Sequence, residues 1–273
     1  MNDLRFALRQ LLKSPGFTAV ALLTLALGIG LNTSMFSLMN LLILQPLPYP
    51  DRDHLVRIYR TTPQSQQANH ASADFLDVDR ETDAIADVAA FRQWAYTLSQ
   101  EGRPPVNMNA LRVSANFFSV VGLAPELGRS FTPEEDLPGN HVIILSHATW
   151  QAQFGGDPDI VGRTVRIDGE PTTIVGVMPA AFTSLFVWNT PGDVYRPLGL
   201  TDTEKLDRTD SALGLVARYQ SSLDLAQLNV RLGAVAEQLA RNRPREQSQD
   251  SLRAVTLQST ATNPTTIGIS WLL

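Results

Sequence analysis

The sequence has no cysteine. That excludes a disulfide framework, a thiolate nucleophile, an iron–sulfur cluster and a thiolate zinc site. Histidine is nearly as scarce, and none of His54, His70, His141 and His147 falls in a His-Glu-x-x-His or comparable ligand spacing. His141 and His147 flank one expected strand, and solvated or packed histidines explain them without a metal. There is no Gly-x-Ser-x-Gly elbow and no P-loop, and no nucleophile, base and orienting group come together. No catalytic, cofactor-binding or metal residue is therefore assigned, and an enzyme is not expected. Positive charge is short as well. Residues 1–50 carry Asp3 against Arg5, Arg9 and Lys13, a balance of +2; with a net charge of −5 for the chain, the remainder carries −7. So acidic a bulk excludes a broad nucleic-acid footprint.

Charge is missing altogether between Lys13 and Asp51. Residues 17–44 are almost wholly apolar, and a helix of that length measures about 42 Å against a hydrocarbon core of about 30 Å. Its nine Leu, two Ile, two Phe and one Val favour insertion by roughly 4–8 kcal/mol. The sequence predicts a transmembrane helix over 17–44. A cleaved signal peptide has a shorter apolar region and a small-residue cleavage site, and no alanine occurs between Ala26 and Ala68. Ala26 and Gly30 stand at a small-xxx-small spacing that seats a neighbouring helix. Arg5, Arg9 and Lys13 place the N-terminus inside, because cytoplasmic flanks are enriched in such residues. Leu4, Leu8, Leu11 and Leu12 recur at helical spacing, so residues 1–16 read as an amphipathic segment on the inner membrane surface, ended by Pro15-Gly16. Pro46, Pro48 and Pro50 make the exit from the span stiff and extended.

Beyond the span the pattern is α+β. Strands are expected at Leu55–Arg60, Val88–Leu98, Val106–Val113, His141–Leu145, Val194–Leu198, Leu213–Tyr219 and Leu252–Leu257. Thr164–Val177 reads as a hairpin about Asp168-Gly169, where glycine takes the positive φ of a primed turn. Helices are expected from Ser72, as cap, to about Glu81, over Asn116–Val121, from a Ser146 cap to Phe154, and over Ser222–Arg241. In the last, Leu225, Leu228, Leu232, Val235 and Leu239 recur at three- and four-residue steps. Thr132-Pro133-Glu134-Glu135 carries the signature of a helix start, with Glu135 completing a capping box. That reading explains the carboxylate cluster Glu134, Glu135 and Asp136 without catalysis. Asp74, Asp77, Asp79, Glu81 and Asp83 crowd one helix and read as a solvated face. Residues 267–273 read either as the first turns of a second membrane helix cut short or as a terminal strand.

Several motifs in one order carry a resemblance. They are Asp3-Leu4-Arg5 with Ala7-Leu8-Arg9-Gln10-Leu11, Lys13-Ser14-Pro15-Gly16-Phe17-Thr18, Leu25-Ala26-Leu27-Gly28-Ile29-Gly30 and Gln45-Pro46-Leu47-Pro48-Tyr49-Pro50. Further along come Asp74-Phe75-Leu76-Asp77, Val113-Ser114-Ala115-Asn116-Phe117-Phe118, Gly128-Arg129-Ser130-Phe131, Gly162-Arg163-Thr164-Val165 and Thr173-Ile174-Val175-Gly176-Val177-Met178-Pro179. Together they resemble the N-terminal part of MacB/FtsX-type ABC transporter permeases, closest to the duplicated orphan permeases of that group. The resemblance implies a two-lobed extracytoplasmic domain over 51–262, of the MacB-like periplasmic core type, held in the inner membrane. It also implies a cytoplasmic ABC ATPase and a second permease unit as partners, membrane lipid around the helix, and no catalytic residues. The cargo is not specified by it. Later membrane helices of the family are not in the sequence, so on this reading the chain is a fragment inactive in transport alone. The alternatives are a single-span binding or adaptor protein working without an ATPase, and a tethered hydrolase using Glu134, Glu135 and Asp136.

Overall fold

The computed structural model of the protein describes residues 15–39, 49–182, 192–241 and 250–261. The expected inner-surface segment before Pro15, the last turns of the span with the exit through Pro48, and the apolar tail at 267–273 lie outside the described residues. The chain divides into two units, Met1–Pro46 and Leu47–Leu273.

Within the first unit one helix, α1 (Pro15–Met39), begins with proline at a position whose amide needs no partner. Thr18–Phe36 has a mean hydropathy of 1.7 and none of it is buried against protein. Its large apolar side chains, from Val20 to Phe36, are 60–67% exposed. By length and composition this helix is able to cross a membrane. The Thr24 hydroxyl donates to the Val20 carbonyl at 2.8 Å, so even this polar atom is satisfied inside the helix.

In the second unit the described residues form ten strands of one sheet, in the order β10-β1-β9-β2-β3-β8-β5-β7-β4, with β6 joined to both β2 and β7. The strands are β1 (Leu55–Thr61), β2 (Ala86–Ser99), β3 (Val106–Val113), β4 (Leu127–Gly128), β5 (Val142–Leu145), β6 (Thr164–Ile167), β7 (Glu170–Val177), β8 (Val194–Pro197), β9 (Gly214–Tyr219) and β10 (Ser251–Thr256). Between them come helices α2 (Ser72–Thr82), α3 (Phe117–Val121), α4 (His147–Phe154), α5 (Asp202–Leu206) and α6 (Leu225–Ala240), and α7 (Leu257–Ala261) follows the last strand. β3–β8 and β5–β7 are parallel; the other pairings are antiparallel.

The 14-residue β2 organises the domain, because its residues feed three separate cores. Ala86, Val88 and Ala90 face a core closed by α2 and α6 over β1, β9 and β10. Tyr96 and Leu98 point into a second core with Met108, Ile143, Val165 and Ile174. That second core fills a closed ring of pairings, β2-β3-β8-β5-β7-β6 and back to β2. Ala89 and Phe91 turn the other way, into an aromatic cluster with Phe117, Phe118, Phe182 and Tyr195. A strand's two-residue period is what allows this sorting. The α+β expectation therefore holds: a helical layer covers one part of the sheet, and the other part curls into a small barrel.

The Asp168-Gly169 hairpin forms as its dipeptide predicts, with φ of 51° and 84°. The Asp168 carboxylate also accepts from the Thr97 amide at 2.7 Å, pinning the turn to β2. Three local expectations are corrected. Thr132–Glu135 is a turn, not a helix start: Thr132 N donates to Glu135 Oε2 at 3.0 Å and Glu135 N to Thr132 O at 3.0 Å, but Leu137-Pro138-Gly139 stops any helix from propagating. Ser72 is the first residue of its helix and not the cap; Ala71 holds that place without a side-chain bond. The Asn116 side chain does not cap α3 either, since its amide donates to Val88 O at 2.7 Å.

Candidate functional site: where the chain enters and leaves the domain

Tyr49 opens the described domain. It is 4% exposed and its ring lies 6.2 Å from Phe182, inside the aromatic cluster around Phe118. The chain then turns sharply at Asp51, which has a left-handed backbone (φ 48°, ψ 44°), a conformation aspartate tolerates better than most residues.

One side chain holds that turn. Arg218 on β9 donates through Nη2 to Pro50 O at 3.1 Å and through Nη1 to Asp51 O at 3.1 Å. From the same guanidinium Nε reaches Val120 O at 2.9 Å and Nη2 reaches Val121 O at 3.0 Å. Those last two acceptors are carbonyls at the C-terminal end of α3, where a cation is favoured. A guanidinium suits the position because its planar fork serves several acceptors at once. Gly122 makes room for it: at φ 82° a Cβ there would come within 2.9 Å of Arg218 Nη2. Next door, Tyr219 Oη donates to Asp53 O at 3.1 Å, and the His54 ring stands edge-on to Tyr219 at 5.0 Å. Burial, helped by Asp224, Asp53 and Asp51, raises the Tyr219 phenol above its ordinary value and keeps it a neutral donor.

The chain leaves at the same place. β10 returns antiparallel to β1, and α7 then packs on β1, β10 and the 52–54 turn. Leu257 is fully buried in the core that also holds Tyr49 and Leu55. The incoming and outgoing segments thus share one footing on the sheet. What the arrangement does is bind the incoming backbone to β9 in the middle of the helix-covered half.

The residues singled out from the sequence are scattered by the fold. His54 pairs with Asp51 at 2.7 Å, buried His70 with Ile58 O at 3.0 Å, His147 with Glu126 at 2.5 Å, and His141 accepts from Arg196 at 2.9 Å. Among the described residues no three metal-ligating side chains converge. Glu135 receives both arms of Arg129 at 2.8 and 2.7 Å, which holds its carboxyl below the usual range. Asp136 accepts from Ala115 N at 2.9 Å and Gly199 N at 2.7 Å; its burial raises its carboxyl overall. These carboxylates brace loops, though not by capping a helix. The solvated-face reading of α2 is corrected at Asp74, which is fully buried and paired with Arg208 at 2.9 Å and Arg60 at 3.6 Å. Asp79 and Asp136 rim a depression of about 530 Å³ floored by Phe75, Val88 and Phe131. Burial, with Asp83 and Asp87 adding repulsion, raises the Asp79 carboxyl. Arg218 was not readable as a site residue: nothing in its local pattern distinguishes it from another strand arginine.

Comparison with known proteins follows the same geometry. The sequence model of the family described as the MacB-like periplasmic core domain matches residues 18–237, well over half of the chain. No curated protein matches. Among solved structures, a permease-assigned domain from Porphyromonas gingivalis superposes with a TM-score of 0.59 at 12% identity, covering 76% of this chain and 92% of that one. The periplasmic region of MacB from Actinobacillus actinomycetemcomitans superposes with a TM-score of 0.54 at 14% identity, covering 77% and 91%. At these identities the likeness is one of fold.

Proposed function

The chain belongs to the family of MacB-like periplasmic core domains, the extracytoplasmic part of ABC transporter permeases, and from that premise we propose that it transmits ATPase-driven movement of its membrane helix to the exterior. A cytoplasmic ABC ATPase supplies the movement and a second permease unit completes the membrane part. α1 carries the displacement into the chain at Tyr49–Asp51, and residues 51–262 act as the periplasmic body that receives it, with the N-terminus in the cytoplasm. The observation that carries this reading is the Arg218 clamp. Four of its hydrogen bonds join the incoming backbone and α3 to the central strand β9, so the inlet cannot shift without dragging the sheet or breaking the clamp. Packed interiors pass on such a shift because they deform little. No chemistry at the junction is needed, in keeping with a family that is not a recognised enzyme class.

The test uses the full chain in membranes of its host. Wild type is expected to carry an ABC ATPase through mild detergent purification; purification without one overturns the coupling in favour of a lone adaptor. Amide exchange at residues 50–54 and 120–123 should then differ between ATP and ADP. Arg218→Gln should keep the ATPase bound and lose that nucleotide response; an unchanged response overturns the clamp's role.

A further inference from the structure

Three arginines stand in one row across the open end of the barrel. Arg92 on β2 is directly opposite Arg112 on β3, and Arg112 is in register with Arg196 on β8. They share a face with the barrel core: Ala110 and Val194 lie two residues further in on β3 and β8, and Tyr96 four residues further in on β2. Like charges directly opposite across a sheet destabilise it, so such a row needs a reason. The internal partners supply it only in part, with Asp136 the carboxylate that Arg112 attracts. Arg92 meets Glu204 at 3.7 Å and Asp210 at 3.8 Å, both beyond hydrogen-bonding distance. Arg112 donates to the Leu198 and Gly199 carbonyls, and Arg196 to Asn140 O and His141. Arg92 is only 9% exposed, and the buried Nε atoms of Arg92 and Arg112 have no partner.

Apolar surface surrounds the row. Trp94 is 45% exposed and sits under two guanidinia, at 4.7 Å from Arg92 and 5.6 Å from Arg112. Leu137, 53% exposed, borders Gly199 beside Arg112. Tryptophan and arginine packed together are the residue types that dominate protein–protein affinity. Barrel mouths are common places for binding.

We infer that the barrel mouth is a docking site for an acidic polypeptide segment of a partner protein, whose carboxylates pair with the Arg92–Arg112–Arg196 row while an adjacent apolar side chain covers Trp94. Charge complementarity selects this occupant. Strands lie about 4.8 Å apart, so the row spans about 10 Å, and an extended chain offers carboxylates on one face at every second residue, about 7 Å apart, within side-chain reach of the row. Glu204 is a weak internal stand-in for the partner's carboxylate. The inference does not depend on the Arg218 clamp.

The experiment uses the full chain in detergent micelles and a fluorescent twelve-residue peptide of two Glu-Ser-Glu-Ser-Phe-Ser repeats, whose acids and aromatics share one face when extended, with the same peptide carrying Lys for Glu as control. The Glu peptide should bind saturably and the Lys peptide should not. Trp94→Ala, on the surface, should weaken binding by roughly tenfold or more with the melting temperature unchanged. Glu204→Gln keeps the α5 capping box, because glutamine serves there as well, yet frees Arg92; it should tighten binding by roughly threefold. Equal binding of the Lys peptide, no saturation by about 1 mM, or an affinity indifferent to Trp94→Ala each overturns the proposal.

Discussion

Arg218 shows how much one side chain settles at this inlet. Its guanidinium is half-sheltered and serves four carbonyls, so Arg218→Ala leaves acceptors without donors where water enters poorly. We expect a loss of about 2–4 kcal/mol in chemical denaturation. Amide exchange should accelerate first at 50–54 and 120–123. Two neighbouring carboxylates titrate with opposite signs. Glu135 is lowered by Arg129, so its stabilisation is present above the unfolded value and is lost as pH falls through the folded one. The penalty of Glu135→Gln, below about 1 kcal/mol for a pair this exposed, should therefore vanish in acid. Asp136 is raised by burial, so the native state takes up its proton first and gains stability as pH falls. Asp136→Asn removes that gain, and its deficit relative to wild type should widen as pH falls from neutrality toward the ordinary carboxylate range. Denaturant midpoints followed from neutral pH to below the ordinary carboxylate range separate the two. Side-chain roles of this kind were only partly legible. The sequence marked Glu135 and Asp136 as structural, but their partners, Arg129 apart, come from distant loops that no local pattern joins.

At the scale of elements, legibility followed period and turn chemistry. The Asp168-Gly169 hairpin, β2, β3 and α6 lie close to where alternation or heptad-like spacing put them. The cap of α6 is Asp224, whose carboxylate accepts from Gln227 N at 2.7 Å while Gln227 reaches back to Asp224 N at 3.1 Å. Asp224→Ala should cost about 1 kcal/mol and Leu232→Ala, fully buried, about 2–5 kcal/mol, both read from denaturation curves. A smaller cost at Leu232 than at Asp224 would contradict the packing of α6 on the sheet. Periodicity was silent on the parallel insertion of β8 between β3 and β5, because register across such a distance is set by the closing of the barrel. It was equally silent on the arginine row, which exists only once β2, β3 and β8 are aligned. The mistaken helix at Thr132 shows the converse. Half of its capping box forms, Glu135 accepting from the Thr132 amide, but four residues before Leu137-Pro138-Gly139 give propagation no room.

At the scale of the whole molecule the decisive contrast is between an apolar helix, whose described side chains are exposed, and a domain with buried cores. α1 leaves nine large apolar side chains 60–67% exposed, an arrangement water penalises at about 25 cal/mol per Å² and lipid does not. The protein should therefore stay in the membrane fraction through carbonate extraction. The lack of native cysteine allows a sharper test of sidedness, since any thiol introduced is the sole label site. Leu206→Cys lies on α5 at an 81% exposed position and disturbs no core. In intact cells with a permeabilised outer envelope it should react with a membrane-impermeant maleimide, whereas Gln10→Cys should react only after the inner membrane is opened. Protection of Leu206→Cys until the inner membrane is opened would place the acidic domain in the cytoplasm. The Arg218 clamp would then have no membrane to pull against.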